Sequence, residues 1–163
     1  MSDNATVTTV SALGNDLAGK YLTFYIGNCT YGVELVHVIE IIGIQDATSV
    51  PGVPAYIKGI INLRGRIVPV IDVRLKIGEE EKAYDERTCI IVINWQESLV
   101  GLIVDSVSEV IDFSADQLSA LPEFSNVNTK KYLSSVCKTG NRLVLNLDCE
   151  KFLTDDTVSE LHG

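Results

Sequence analysis

Few residues in this chain could carry out covalent chemistry, and none stands in a catalytic arrangement. A nucleophile activated by imidazole would have to use His37 or His162, the only histidines, and His162 is next to last. His37 sits between Val36 and Val38, a setting more typical of a surface or hydrogen-bonded histidine than of a ligand. The carboxylates Glu34, Glu40, Asp72, Asp105 and Glu109 are too dispersed to be recognised as an acid–base pair. Cys29, Cys89, Cys137 and Cys149 form no Cys-x-x-Cys pair and have no histidine at zinc spacing. Cys89 and Cys137 lie in apolar strand patterns, where a thiol packs as a small hydrophobe. No phosphate-binding loop, dinucleotide fingerprint, His-Glu-x-x-His or Gly-x-Ser-x-Gly elbow occurs. The expectation is therefore no enzyme, no metal and no cofactor. Recognition remains, and Asn62 with Arg64 is the pair that could perform it, an amide beside a guanidinium.

The elements around that pair read as a hairpin. In a strand of period two, Ile61 and Leu63 face one side while Asn62 and Arg64 share the other. Gly65-Arg66 suits a two-residue turn with glycine first. A degraded copy returns 76 residues later: Tyr132-Leu133-Ser134-Ser135-Val136 follows Tyr56-Ile57-Lys58-Gly59-Ile60, and Arg142 to Asp148 follows Arg66 to Asp72. Upstream, Gly32, Val38, Glu40 and Ile41 recur as Gly101, Val107, Glu109 and Val110, shifted by 69. One seven-residue insertion (76 − 69) reconciles the two offsets. The copies disagree most at the hairpin tip, where the second carries Lys138-Thr139-Gly140-Asn141-Arg142. A lone strand arginine is most simply a solvated one. The disagreement between copies is what singles out Arg64.

With 163 residues and 46% hydrophobic content the chain can bury a core, yet each repeat of about 60 residues would be marginal alone. The two are expected to pack together. A net charge of −9 argues against nucleic acid or direct contact with an anionic membrane, since phosphate contacts need clustered Lys and Arg. Glu79-Glu80-Glu81 with Asp85-Glu86 reads as a solvated connector between the copies. No stretch approaches a membrane span, and the first nineteen residues lack the pattern of a secretory signal, so a cytoplasmic protein is expected.

Along the chain, residues 1–19 read as a flexible tail and residues 20–154 as one domain. Its first repeat spans about 20–78 and its second about 88–154, with a short helix or tail at 155–163. Leu22, Phe24 and Ile26 alternate in a strand that turns at Gly27-Asn28 into a second. Val36 to Ile44 could be a helical turn running into a strand, which the periodicity does not decide. Val50 to Pro54 is loop, and Pro69 restricts its strand to an edge or a bulge. Cys89 to Ile93 has the continuous apolar character of a strand buried on both faces, and Val100 to Val110 reads as one strand. Ser114 with Gln117 makes a capping box, Asp148 caps Glu150 to Leu153, and Thr154 or Asp155 starts a closing helix. Many short strands with Gly and Pro turns predict an all-β fold of two small antiparallel barrels.

Two non-enzymatic classes fit these residues, a protein-docking scaffold and a small-ligand barrel. The order of Tyr31-Gly32-Val33, Val38-Ile39-Glu40-Ile41, Ile57 to Gly65, Ile67 to Arg74 and Gly101 to Val107 closely resembles the CheW family of bacterial chemotaxis coupling proteins, from about Tyr21 to Leu153. The resemblance implies two five-stranded SH3-like barrels packed side by side, and the offsets leave strand exchange between them open. It implies an adaptor joining the cytoplasmic hairpin tip of methyl-accepting chemoreceptors to the regulatory domain of the histidine kinase CheA, with copies of itself as a further partner in array rings. By motif, Val38, Glu40, Asn62, Arg64 and Gly65 would bind receptor, and Gly101 and Val107 the kinase. Flagellar chemotaxis, twitching motility and other chemosensory systems are equally compatible with the sequence.

Overall fold

A computed structural model describes residues 17–120 and 131–154. The strands are β1 (Lys20–Ile26), β2 (Cys29–Glu34), β3 (Val38–Gly43), β4 (Ile57–Leu63), β5 (Arg66–Asp72), β6 (Cys89–Trp95), β7 (Ser98–Val104), β8 (Ser106–Asp112), β9 (Leu118–Ser119), β10 (Leu133–Thr139) and β11 (Arg142–Leu147). Single helical turns follow β5 (Val73–Lys76) and β11 (Cys149–Leu153). The repeat is visible strand by strand: β6 begins 69 residues after β1 (89 − 20), and β10 begins 76 after β4 (133 − 57). Equivalent details recur with it. Asp72 N–H donates to Tyr56 O at 2.7 Å and Asp148 N–H to Tyr132 O at 2.8 Å, and each aspartate caps the helical turn after it.

The barrels are nevertheless not the repeats. One sheet runs β8-β1-β2-β11-β10-β9 and the other β3-β6-β7-β5-β4. Each repeat donates its first hairpin to the other repeat's sheet: β2 lies parallel to β11, with Gly32 opposite Asn146, and β7 lies parallel to β5, with Val70 opposite Gly101. Close packing at these crossings needs glycine. A Cβ on Gly101 would stand 2.8 Å from Ile90 Cγ2 and 2.9 Å from Val70 Cγ1.

Three cores result. The five-stranded sheet curls over Ile61, Val68, Val70, Ile90, Val92 and Ile103, and the six-stranded sheet over Phe113, Cys137 and Val144. The largest lies between the sheets and draws Leu22, Phe24 and Val33 from one, and Ile91, Ile93 and Leu102 from the other. Strand β6 accordingly sends Ile90 and Val92 into one core and Ile91 and Ile93 into another, the two-faced burial its apolar run predicts. A polar link reinforces the junction. Asp105, the single residue between β7 and β8, accepts from Arg74 Nη1 and from Gly27 N–H, both at 2.8 Å.

Four expectations need correction. Val100 to Val110 is two strands, because the chain passes from one sheet to the other at Asp105. Pro69 lies inside its sheet; β5 pairs with β7 only from Val70 to Asp72, so the missing N–H falls just short of that ladder. Leu17, assigned to the flexible tail, is buried in the large core. The two-residue turn after β4 is Arg64-Gly65 and not Gly65-Arg66, since Leu63 pairs with Arg66. The Ser114 capping box and the helical turn at Leu35–His37 running into β3 are present. The closing helix expected over residues 155–163 lies outside the described residues.

Candidate functional site

The Arg64-Gly65 turn brings the sequence-predicted residues together. Both residues have positive φ, 51° and 85°, the signature of a type I′ hairpin turn. Such a turn favours Asn-Gly; an arginine at its first position is held in the left-handed region at a steric cost. Asn62 Oδ1 accepts the Gly65 N–H at 2.8 Å and fixes the tip. Arg64 therefore projects from a turn, not from the strand face that period two assigns it.

Its guanidinium is not free. Arg64 Nη2 donates to Glu40 Oε1 at 2.6 Å, and Nη1 donates to Glu40 Oε2, a bidentate fork across the open end of the barrel. Glu40 is placed by a bulge. Val38 pairs with Ile93 and Glu40 with the adjacent Val92, so Ile39 is an extra residue that breaks the alternation. Val38 is buried, Ile39 is exposed, and Glu40 is left half-buried at the rim. Hydrogen bonding to Arg64 holds the Glu40 carboxyl below its ordinary value. The pair's contribution is thus complete above pH 4.5 and fades as pH falls through the lowered value.

Of the seven candidate residues, Glu40, Asn62, Arg64 and Gly65 form one surface. Val38 and Gly101 are buried and can shape a contact surface without forming it, while Val107 is half-buried against the large core. Sequence reasoning missed two exposed aliphatic residues, Ile67 and Leu143, at 71% and 58% exposure. They occupy equivalent places, 76 residues apart (143 − 67), each two residues past a hairpin turn. The repeat comparison could have found them, because an aliphatic residue at the same solvent-facing place in both copies calls for a reason. In the second repeat, Arg142 Nη2 lies 3.8 Å from Glu109 Oε2, and Val110 is a further exposed aliphatic residue.

The four cysteines are free thiols, and no helix among the described residues is long and apolar enough to cross a membrane.

Comparison with known proteins gives a consistent answer. The family described as CheW-like domain matches residues 20–157. The chain is 38% identical over 156 residues to the chemotaxis protein CheW of Klebsiella aerogenes, covering 95% of this chain and 94% of that protein. It is 33% identical to the CheW of Bacillus subtilis, covering 85% and 88%. Among solved structures, the scaffolding protein TtCheW from Thermoanaerobacter tengcongensis superposes with a TM-score of 0.78 at 27% identity, covering 85% of this chain and 94% of that one.

Proposed function

Because the chain belongs to the CheW family and is a chemotaxis scaffold, we propose that it couples methyl-accepting chemoreceptors to the histidine kinase CheA from two separate faces. The receptor face is the end of the five-stranded barrel that carries Asn62, Arg64, Gly65 and Glu40, with Ile67 as an apolar anchor beside it. The observation that carries this reading is the Arg64–Glu40 fork on an exposed and strained tip. A side chain kept in an unfavourable conformation where glycine would fit is retained for what it contacts. The fork presents one closed, planar ion pair whose remaining N–H and carboxylate lone pairs point to solvent, suited to the polar side chains of a helical hairpin tip.

The kinase face is apolar and lies on the other barrel, at Val110 of the edge strand β8 that also carries Val107, with Leu143 of β11, separated from β8 by β1 and β2, as a second apolar point. Gly101 supports the five-stranded barrel from inside, by letting β5 and β7 approach. No catalytic group takes part, and the protein acts from the cytoplasm by changing which kinase conformation its partners favour.

Reconstituted kinase activation tests the reading. Arg64→Glu places two carboxylates at the tip and should lower receptor affinity roughly thirtyfold, abolishing coupling while the protein melts within a few degrees of the parent. Normal coupling by this variant would refute the receptor face. Leu143→Asp should weaken binding of the isolated kinase regulatory domain roughly tenfold and leave receptor binding intact, which a pull-down of each partner would show.

A further inference from the structure

Four hairpins in this protein have two-residue turns: Gly27-Asn28, Arg64-Gly65, Gln96-Glu97 and Gly140-Asn141. By the two offsets, Gly27-Asn28 is the counterpart of Gln96-Glu97 (96 − 27 = 69), and Gly140-Asn141 is the counterpart of Arg64-Gly65 (140 − 64 = 76). At each turn, then, one copy has Gly-Asn, with glycine taking the positive φ of 59° or 60°. The other copy departs from it. Arg64, Gln96 and Glu97, with φ of 51°, 51° and 66°, are the only non-glycine residues of positive φ among the described residues.

The exchange of hairpins puts both departures on the same sheet. Strands β5 and β7 are parallel neighbours, and each starts directly after its turn, so the two strained tips stand at one end of the five-stranded barrel. Carried back four residues from Val70 opposite Gly101, the register sets Arg66 level with Glu97. Gln96, Glu97 and Arg66 are all exposed, and Arg66 and Glu97 form no ion pair. At the foot of the Gln96-Glu97 turn, the Trp95 indole N–H is buried with no acceptor among the described residues, and the His37 ring meets the Trp95 ring edge-on with centroids 5.4 Å apart. The six-stranded sheet has no strained tip, since both its turns keep the relaxed Gly-Asn pair, although Arg142 Nε and Nη2 beside one of them are likewise buried without a hydrogen-bond partner.

We propose that the Gln96-Glu97 turn is a second half of the receptor face, continuous with the Arg64 tip, whose amide and carboxylate select among receptor hairpins by bonding cationic and amide side chains there. The proposal rests on the receptor face assigned above. Large side chains at three left-handed positions cost stability that Asn-Gly would recover, and they are gathered at the one end where the fork already projects. Nothing in the packing of the barrel requires them, since all three are exposed.

The test replaces the strained pair by the favoured one, Gln96→Asn with Glu97→Gly, in the full chain. The melting temperature should rise by about 3 °C. Affinity for a chemoreceptor cytoplasmic fragment should fall roughly tenfold, and affinity for the kinase regulatory domain should not change. Glu97→Gln, which keeps the backbone and removes the charge, should lose about threefold for the receptor fragment alone. A raised melting temperature with undiminished receptor affinity would show the turn to be idle and overturn the proposal. So would a lowered melting temperature, which removes the premise of strain, or an equal loss for both partners, which would mark a general distortion. If the parent chain itself failed to bind the receptor fragment, the receptor face as a whole would fall and this half of it too.

Discussion

A chain ending at Glu80 will not fold, although it contains one complete sequence repeat. It retains β3, β4 and β5 but lacks β6 and β7, which stand between β3 and β5 in their sheet. Its β1–β2 hairpin is left without β8 on one side and β11 on the other. The large core loses Ile91, Ile93, Val100, Leu102, Leu133, Leu147 and Phe152, more than a fragment of this length can replace. The expected outcome is a disordered circular-dichroism spectrum with no cooperative melt, for this fragment and for the complementary 81–163 alike. A sharp thermal transition from either half would mean that a repeat can close its own barrel, contrary to the exchange.

The second large effect is expected at Gly59. Its φ is +139°, a region L side chains rarely adopt, and a Cβ there would lie 2.1 Å from Thr48 O and 2.7 Å from Thr48 C. These are backbone atoms held by the Thr48–Ile60 pair of hydrogen bonds at 2.8 and 2.9 Å, so no side-chain rotation relieves the clash. Gly59→Ala should cost about 3 kcal/mol and lower the melting temperature by roughly 10 °C. The counterpart in the second repeat is Ser135, which sits after the equivalent bulge in β10 without a positive φ. Ser135→Ala meets no backbone clash and gives up only the hydroxyl that accepts from Asn146 Nδ2 at 2.9 Å, about 1 kcal/mol or roughly 3 °C, so the two substitutions measured side by side separate the local clash from a generic effect on the hairpin. Equal shifts would refute the account.

Much of this architecture was legible in the sequence, because alternation reports which residues are buried. The hairpins, the two-faced burial of β6 and the caps at Ser114 and Asp148 all followed from local pattern. Alternation does not report which edge a strand meets, so the offsets left open the exchange that joins Gly32 to Asn146. Proline rules failed at Pro69 because they count hydrogen bonds that the β7 ladder, starting at Val70, does not ask for. The turn after β4 was misplaced by one residue for a physical reason too. Glycine first is the preference of a type II′ turn, whereas the chain forms a type I′ turn with glycine second and Arg64 in the first place, where Asn is favoured. Arg64 and Asn62 could be picked out, but their intramolecular partners could not: the reach of Arg64 to Glu40 depends on the extra residue Ile39, which leaves no mark in period-two patterning.

The exchanged hairpin also sets a timetable for synthesis. Gly32 emerges from the ribosome 114 residues before Asn146, its partner across the parallel β2–β11 ladder (146 − 32). At typical elongation rates of 5–20 residues per second, the β2 edge of the β1–β2 hairpin waits on the order of 10 s unpaired, and the β1 edge waits until β8 has been made. Native pairing of the first strands made must follow the last, so the nascent chain depends on whatever shields an open sheet edge during that interval.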